Sequence, residues 1–142
     1  MTTRILFVCT GNSARSQMAE GLARALAVPE VEVASAGTHP RGVHPLAIEA
    51  MQERGIDIAS QQSKRVEEVP AGFDYVITLC DDAARDCPVL PARRARIHWS
   101  LPDPAAAAGD EAQRGIVFRQ VREEIERRLR HWLGQEGLLS AV

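Results

Sequence analysis

Several features that define broad classes of protein are scarce in this chain of 142 residues. No apolar stretch approaches the roughly 20 residues that a membrane-spanning helix needs, so we expect no membrane association. Acidic and basic residues nearly balance, with a formal net charge of −2, which argues against the basic surface of a nucleic-acid-binding platform. The N-terminus passes directly into an apolar run, without the basic region and cleavage site of a signal peptide, so we expect a cytoplasmic protein.

Cysteine is also scarce, with only Cys9, Cys80 and Cys87 in the chain. A reducing cytoplasm does not favour structural disulfides, so each thiol is a candidate for chemistry. The chain, 45% of it hydrophobic residues, is long enough to bury one core without such cross-links. We therefore predict a single domain over residues 1–142, and we expect it to act as a monomer.

Apolar runs and helical periodicities alternate along the chain. Strands are predicted at 4–9, 30–36, 75–79 and 96–99, and helices at 17–26, 45–54, within 60–69 and at about 110–133. Alternation of this kind implies parallel strands joined by crossover connections. We predict an α/β fold, a three-layer sandwich around a four-stranded parallel sheet, with its site at the carboxyl ends of the strands.

The most informative segment follows the first predicted strand, where Cys9 ends an apolar run and Arg15 follows six positions later. Unpaired backbone N–H groups and the dipole at a helix start attract anions, and a guanidinium suits two oxygens of a tetrahedral oxyanion. Gly11 allows close backbone approach, and Asn12 tolerates the left-handed conformation of a sharp loop. The residues predicted to bind the oxyanion are Thr10, Gly11, Asn12, Ser13, Ala14, Arg15 and Ser16.

The same positive field favours a thiolate at Cys9, so we expect its pKa to lie below the usual value of about 8.5. Cys9 is then the predicted nucleophile. The alternative is an inert cysteine buried at the end of a strand, as free cysteines often are. The Gly, Asn, Ser and Arg residues that follow Cys9 favour the reactive interpretation, because a structural cysteine does not need them.

Cys80 and Cys87 admit three hypotheses. A zinc site prefers cysteines two to four residues apart with further ligands, and only His98 is near in sequence. Two inert thiols are the second hypothesis. The third is a thiol relay, in which Cys80 attacks a sulfur at position 9 and Cys87 then attacks Cys80.

Five segments together carry a resemblance to a known family: CTGNSARSQMAEG, EVASAGTHP, GVHPLAIEAM, VITLCDDAARDCPVLP and RIHWSLPDPA. They resemble the thioredoxin-coupled arsenate reductases, which share the fold of the low-molecular-weight protein tyrosine phosphatases. The resemblance covers nearly the whole chain. Ala14 and His44 depart from it, at positions where many relatives carry a cysteine and an asparagine.

The resemblance implies a mechanism. Arsenate binds in the loop of residues 10–15, Cys9 forms a covalent adduct with arsenic, and Asp103 serves as general acid. Cys80 attacks the Cys9 sulfur and releases arsenite, and Cys87 converts the resulting disulfide into one between Cys80 and Cys87. Residues 80–96 are then expected to rearrange so that thioredoxin, an external reductant, reaches that disulfide. Phosphate and sulfate are expected competitors, and no bound cofactor is expected.

Some reductases of this family hold potassium beside the anion loop. Asn12, Glu20 and Ser35 match three of the four ligand positions, and Lys64 stands at the fourth. We therefore expect no metal here: the Lys64 ammonium replaces the potassium ion and pairs with Glu20. The alternative is an exposed lysine on a short helix.

Two other functions use the same residues. A phosphatase would bind the same shape of anion, yet it has no use for Cys80 and Cys87. It would also profit from aromatic walls around a phosphotyrosine ring, and this chain has only one tyrosine, two tryptophans and three phenylalanines. A thiol-based redox sensor would use the cysteines without any substrate.

Overall fold

The computed structural model describes residues 2–81 and 90–141. Its strands are β1 (Thr3–Cys9), β2 (Val31–Gly37), β3 (Tyr75–Thr78) and β4 (Ala95–His98), and its helices are α1 (Arg15–Leu26), α2 (Pro45–Gln52) and α3 (Glu111–Gln135). The strands form one parallel sheet in the order β2, β1, β3, β4. Helices flank this sheet, which confirms the predicted α/β sandwich.

The centre of the sheet is β1, whose apolar run explains its position. Residues 5–8 of that strand have no exposed surface, as a strand with neighbours on both edges and helices nearby requires. Its last residue, Cys9, pairs in register with Gly37 of β2. The carboxyl ends of β1 and β2 therefore lie side by side, directly below the loop that leads into α1.

The long helix α3 begins with a capping box, in which Asp110 accepts from the Gln113 backbone N–H and the Gln113 side chain accepts from the Asp110 N–H. Its apolar face packs against α1 and α2. The residues predicted for that face are all buried: Phe118, Val121, Ile125, Leu129 and Trp132. None of the helices within the described ranges is both long and apolar enough to cross a membrane.

Within 60–69, where a short helix is predicted, the structure forms a three-residue 3₁₀ helix, Val66–Glu68. Backbone groups before it bind α1 and the anion loop: the Gln62 carbonyl accepts from the Gln17 side chain, and the Lys64 N–H donates to the Asn12 side chain. The remaining predicted elements exist, with ends shifted by one or two residues.

Candidate active site

The nucleophile predicted from sequence, Cys9, lies at the carboxyl end of the central strand and is 2% exposed. Its Sγ is 2.8 Å from the Ser16 hydroxyl in the first turn of α1. The Asn12 side-chain amide donates to that same hydroxyl oxygen at 2.7 Å, which leaves the hydroxyl hydrogen free to point at the sulfur. The serine is thus placed to stabilise a thiolate.

The loop between Cys9 and α1 turns its carbonyl oxygens away from the site. The carbonyls of Thr10, Gly11 and Ser13 accept from the backbone of residues 39, 41 and 44, at 2.8, 2.9 and 3.0 Å. In contrast, no described residue accepts a hydrogen bond from the backbone N–H groups of residues 11–15. The helix start also lacks a side-chain cap. Several N–H donors are therefore available to an oxyanion, as the sequence predicted.

Two positions make this loop geometry possible. Asn12 has a φ of 43°, the left-handed conformation expected for it. Its buried side-chain amide donates hydrogen bonds to the hydroxyl groups of Ser16 and Ser35. Gly37 lies so close to the loop that a Cβ there would be 2.6 Å from the Thr10 carbonyl oxygen. Only glycine allows this approach of β2 to the loop.

Arg15 and Asp103 line one cavity with Cys9. The buried Arg15 guanidinium donates to the Leu101 carbonyl at 3.1 Å and comes within 3.8 Å of the Asp103 carboxylate. Asp103 also accepts from the Ala105 N–H at 3.0 Å, which caps a short 3₁₀ turn. The aspartate therefore caps this turn and also lines the cavity, where the resemblance places a general acid.

Cys80 comes to the same cavity from the end of β3. Its buried Sγ is 3.2 Å from the Thr10 hydroxyl, so the residue next to the first cysteine contacts the second. Cys9 and Cys80 are both buried. The sequence predicted that both sulfurs meet at strand ends, but it did not predict the contact with Thr10.

The cavity has a volume of about 540 Å³. It is lined by five of the seven residues predicted to bind the oxyanion: Thr10, Gly11, Ser13, Ala14 and Arg15. Asn12 and Ser16 are fully buried behind it, where they support the loop. Cys87 lies outside the described residues.

His44 forms part of the cavity wall, which the sequence did not predict. Its Nδ1 accepts from the Leu46 N–H at 3.1 Å and so caps α2, in the role that asparagine often fills. Its ring packs against Phe118. Burial lowers the pKa of His44, and the positive charge of Arg114 lowers it further, whereas the Asp103 carboxylate acts in the opposite direction. A cap of this kind requires the neutral ring.

The predicted pair between Lys64 and Glu20 is wrong. Arg24 holds the buried Glu20 carboxylate at 2.7 Å, and Ser35 donates to its other oxygen at 2.6 Å. The Lys64 ammonium lies near the Gln62 carbonyl instead, at 3.4 Å. Arg24 stands four residues after Glu20 on the same helix, a spacing that favours ion pairs. That spacing was a usable signal in the sequence.

Gln17 is a supporting residue that sequence reasoning missed. Its fully buried side-chain amide donates to the carbonyls of Asn12 and Gln62, each at 3.0 Å. It also accepts from the Gln61 side chain. A polar residue on the inner face of α1 was the one available signal, because its partners lie far away in the sequence.

The sequence matches the family described as low molecular weight phosphotyrosine protein phosphatase over residues 4–140. The arsenate reductase of Halalkalibacterium halodurans is 46% identical over 127 residues, which is 89% of this chain and 91% of that protein. Among solved structures, an arsenate reductase in the phosphate binding state is 34% identical with a TM-score of 0.79, covering 94% of this chain and 98% of the other.

The thioredoxin-dependent arsenate reductase of Corynebacterium glutamicum is a further structural neighbour. It is 31% identical with a TM-score of 0.71, over 94% of this chain and 61% of the other. The anion loop and the parallel sheet are consistent with these similarities in sequence and structure. The chain therefore belongs to the low molecular weight phosphotyrosine protein phosphatase family, and the three relatives described above are arsenate reductases.

Proposed function

We propose that this protein is an arsenate reductase that uses Cys9, Cys80 and Cys87 in sequence and is re-reduced by thioredoxin. The observation that carries the proposal is that two buried cysteines, Cys9 and Cys80, line one cavity together with an oxyanion loop. A hydrolytic phosphatase needs one cysteine there, whereas reduction needs a second thiol to accept part of the oxidation. The named relatives support the same activity.

In the first step, arsenate binds to the N–H groups of residues 11–15 and to the Arg15 guanidinium. The Cys9 thiolate attacks arsenic and forms a sulfur–arsenic bond, while one oxygen departs. Asp103 donates a proton to that oxygen, which leaves as water. The cavity position of Asp103, close to Arg15, supports this role.

In the second step, the Cys80 thiolate attacks the Cys9 sulfur. A disulfide forms between the two residues, the sulfur–arsenic bond breaks, and its electron pair passes to arsenic. Arsenic is thereby reduced from the pentavalent to the trivalent state and leaves as arsenite. The Thr10 hydroxyl, 3.2 Å from Cys80 Sγ, supports this step because it can donate to a thiolate and hold it in the cavity.

In the third step, the Cys87 thiolate attacks Cys80 and frees Cys9 as a thiolate, leaving a disulfide between Cys80 and Cys87. A dithiol such as thioredoxin then reduces that disulfide. The dependence of the Corynebacterium glutamicum neighbour on thioredoxin supports this choice of reductant. Residues 82–89 lie outside the described part of the chain, so this step rests on the sequence and the relatives.

Phosphate ester hydrolysis is the competing activity, and it is supported by the match to a family described as a phosphatase. Phosphorus does not accept the electron pair that arsenic takes, so an adduct with phosphate must be hydrolysed by water. That reaction leaves Cys80 without a role. We therefore propose hydrolysis only as a weak side activity of the same loop.

A coupled assay tests the proposal. The protein is mixed with thioredoxin, thioredoxin reductase and a nicotinamide reductant, and consumption of the reductant is followed with and without arsenate. We expect consumption that depends on arsenate and is abolished in Cys9→Ser and Cys80→Ser. Consumption without arsenate, or none at all, would favour a redox sensor, and phosphatase turnover with no arsenate reduction would favour the phosphatase.

A further inference from the structure

His98, at the end of β4, bridges two residues that flank Cys80 in the chain. Its Nδ1 lies 2.7 Å from the Thr78 hydroxyl, and its Nε2 lies 2.8 Å from the Asp81 carboxylate. Thr78 is the last residue of β3, and Asp81 follows Cys80 directly. The ring therefore connects both sides of the second cysteine.

The directions of these hydrogen bonds follow from the chemistry of the partners. A carboxylate only accepts hydrogen bonds, so His98 Nε2 carries a hydrogen and donates it in a hydrogen bond to Asp81. In the neutral ring Nδ1 is then the acceptor, and the Thr78 hydroxyl donates to it. Because both ring nitrogens have partners, the ring is fixed at both ends, and neither nitrogen is left as a ligand for the zinc site considered from sequence.

The backbone before Cys80 is already anchored. The Leu79 N–H donates to the Val8 carbonyl at 2.8 Å, and the Leu79 carbonyl accepts from Leu101 at 3.1 Å. After Cys80 the sheet has ended. The Asp81 contact with His98 anchors the chain on that side of Cys80.

We propose that His98 and Asp81 are positioning residues, which hold the chain beyond Cys80 so that its sulfur stays against Thr10 and within reach of Cys9. This inference rests on the proposed function, in which Cys80 attacks the Cys9 sulfur. It predicts that loss of the clamp through His98 slows the second step and leaves the first unchanged, because His98 does not line the cavity. Asp81 does line the cavity, so His98→Ala is the variant that separates the two steps.

The test isolates the second step in a Cys87→Ser background, where the third step cannot occur. Arsenite release in a single turnover without thioredoxin is measured for the parent and for added His98→Ala and Asp81→Ala. The two partners form an exposed hydrogen bond of modest strength, so we expect release to slow by about fivefold. Asp81→Asn keeps an oxygen that accepts from Nε2 and is expected to release arsenite at nearly the parent rate.

Alkylation of Cys9 by iodoacetamide, with and without arsenate as a protecting ligand, reports the first step and the integrity of the loop. We expect the same alkylation rate and the same protection in the parent and in His98→Ala. The Asp81 side chain is 73% exposed, so its replacement leaves the core intact, although it changes the lining of the cavity.

Two results overturn the clamp alone: arsenite release at the parent rate in both alanine variants, or Cys9 alkylation in His98→Ala that changes in parallel with release. A slow Asp81→Asn variant would also overturn it, since the accepting oxygen is retained. A parent that releases no arsenite would overturn the proposed function as well, so the two failures are distinguishable.

Discussion

The sulfur of Cys9 and the hydroxyl of Ser16 form a 2.8 Å hydrogen bond at the point where β1 gives way to α1. The serine hydroxyl oxygen already accepts a hydrogen bond from the Asn12 amide, and its hydrogen is free to donate to the sulfur. A buried donor aimed at a sulfur favours the charged form of that sulfur. The reactivity of Cys9 therefore depends on a residue that does not line the cavity.

Ser16→Ala removes this donor, and we expect alkylation of Cys9 by iodoacetamide at neutral pH to slow by about tenfold, because hydrogen bonds to charged groups are among the stronger ones. Ser13→Ala is the matched control: it removes a hydroxyl that lines the cavity but does not bond the Cys9 sulfur. Equal alkylation rates in the Ser16 variant and the unaltered protein would show that the hydrogen bond has no such role.

The close approach of β2 to the anion loop gives a second prediction. In Gly37→Ala the new Cβ would meet the Thr10 carbonyl oxygen at 2.6 Å and the Asn12 nitrogen at 2.8 Å, both of them backbone atoms. We expect a loss of about 1–3 kcal/mol in the free energy of unfolding, the usual range for overpacking, and a higher KM for arsenate. Urea unfolding and the coupled assay measure these effects.

Gly115→Ala is the control for that substitution, since its Cβ would meet only the Arg119 guanidinium at 3.8 Å. Alanine in the interior of α3 is expected to raise the free energy of unfolding by about 0.5–1 kcal/mol. A Gly37→Ala variant as stable as the unaltered protein would mean that the loop adjusts freely and that the close approach of β2 does not require glycine.

The lowered pKa of His44 predicts how stability depends on pH. Because the folded-state pKa lies below the unfolded value of about 6.5, the unfolded chain binds more protons as the pH falls through that region. Stability is therefore greatest above about pH 6.5 and declines below it. Protonation of Nδ1 also removes the acceptor for the Leu46 N–H.

The comparison variant is His44→Asn, which keeps an N-cap but does not titrate. Between pH 7.5 and pH 5.5, we expect the free energy of unfolding to fall by about 1 kcal/mol more in the unaltered protein than in the variant, the usual value of one cap. Urea titrations at both pH values measure this difference. Identical pH slopes in the two proteins would contradict the role assigned to His44.

The ion pair at Glu20 gives a further prediction. Arg24→Ala leaves the buried carboxylate without its cation and is expected to lower the free energy of unfolding by about 1 kcal/mol, a modest figure because the Arg24 side chain is half exposed. Lys64→Ala is expected to stay within about 0.5 kcal/mol. Turnover is expected to be the same in potassium and sodium chloride. Strong stimulation by potassium would contradict the view that Arg24 supplies the charge at this site.

Local patterns were sufficient to predict most of the elements. The apolar run before Cys9 could only be a buried strand, and the spacing of Phe118, Val121 and Ile125 could only place them on one helix face. The short helix predicted within 60–69 is only three residues long, because backbone groups before it bind Gln17 and Asn12, and local propensity does not reveal such contacts.

The site divides in the same way. The anion loop is local in sequence, so Cys9, Asn12 and Arg15 could be assigned before the structure was known. The contact between Thr10 and Cys80 joins residues 70 positions apart, and it follows from the parallel pairing of β1 with β3. Such contacts depend on the topology of the sheet, which sequence patterns predict only in outline.

The attack of Cys80 on the Cys9 sulfur is tested most directly by identifying which cysteines are joined in a disulfide after one turnover. Cys87→Ser is mixed with arsenate in the absence of any reductant, digested under non-reducing conditions and analysed by mass spectrometry, alongside Cys80→Ser. We expect Cys87→Ser to release arsenite and to form a disulfide between Cys9 and Cys80, and we expect Cys80→Ser to give neither product. Arsenite release by Cys80→Ser, or by Cys87→Ser without that disulfide, would contradict the attack of Cys80 on Cys9.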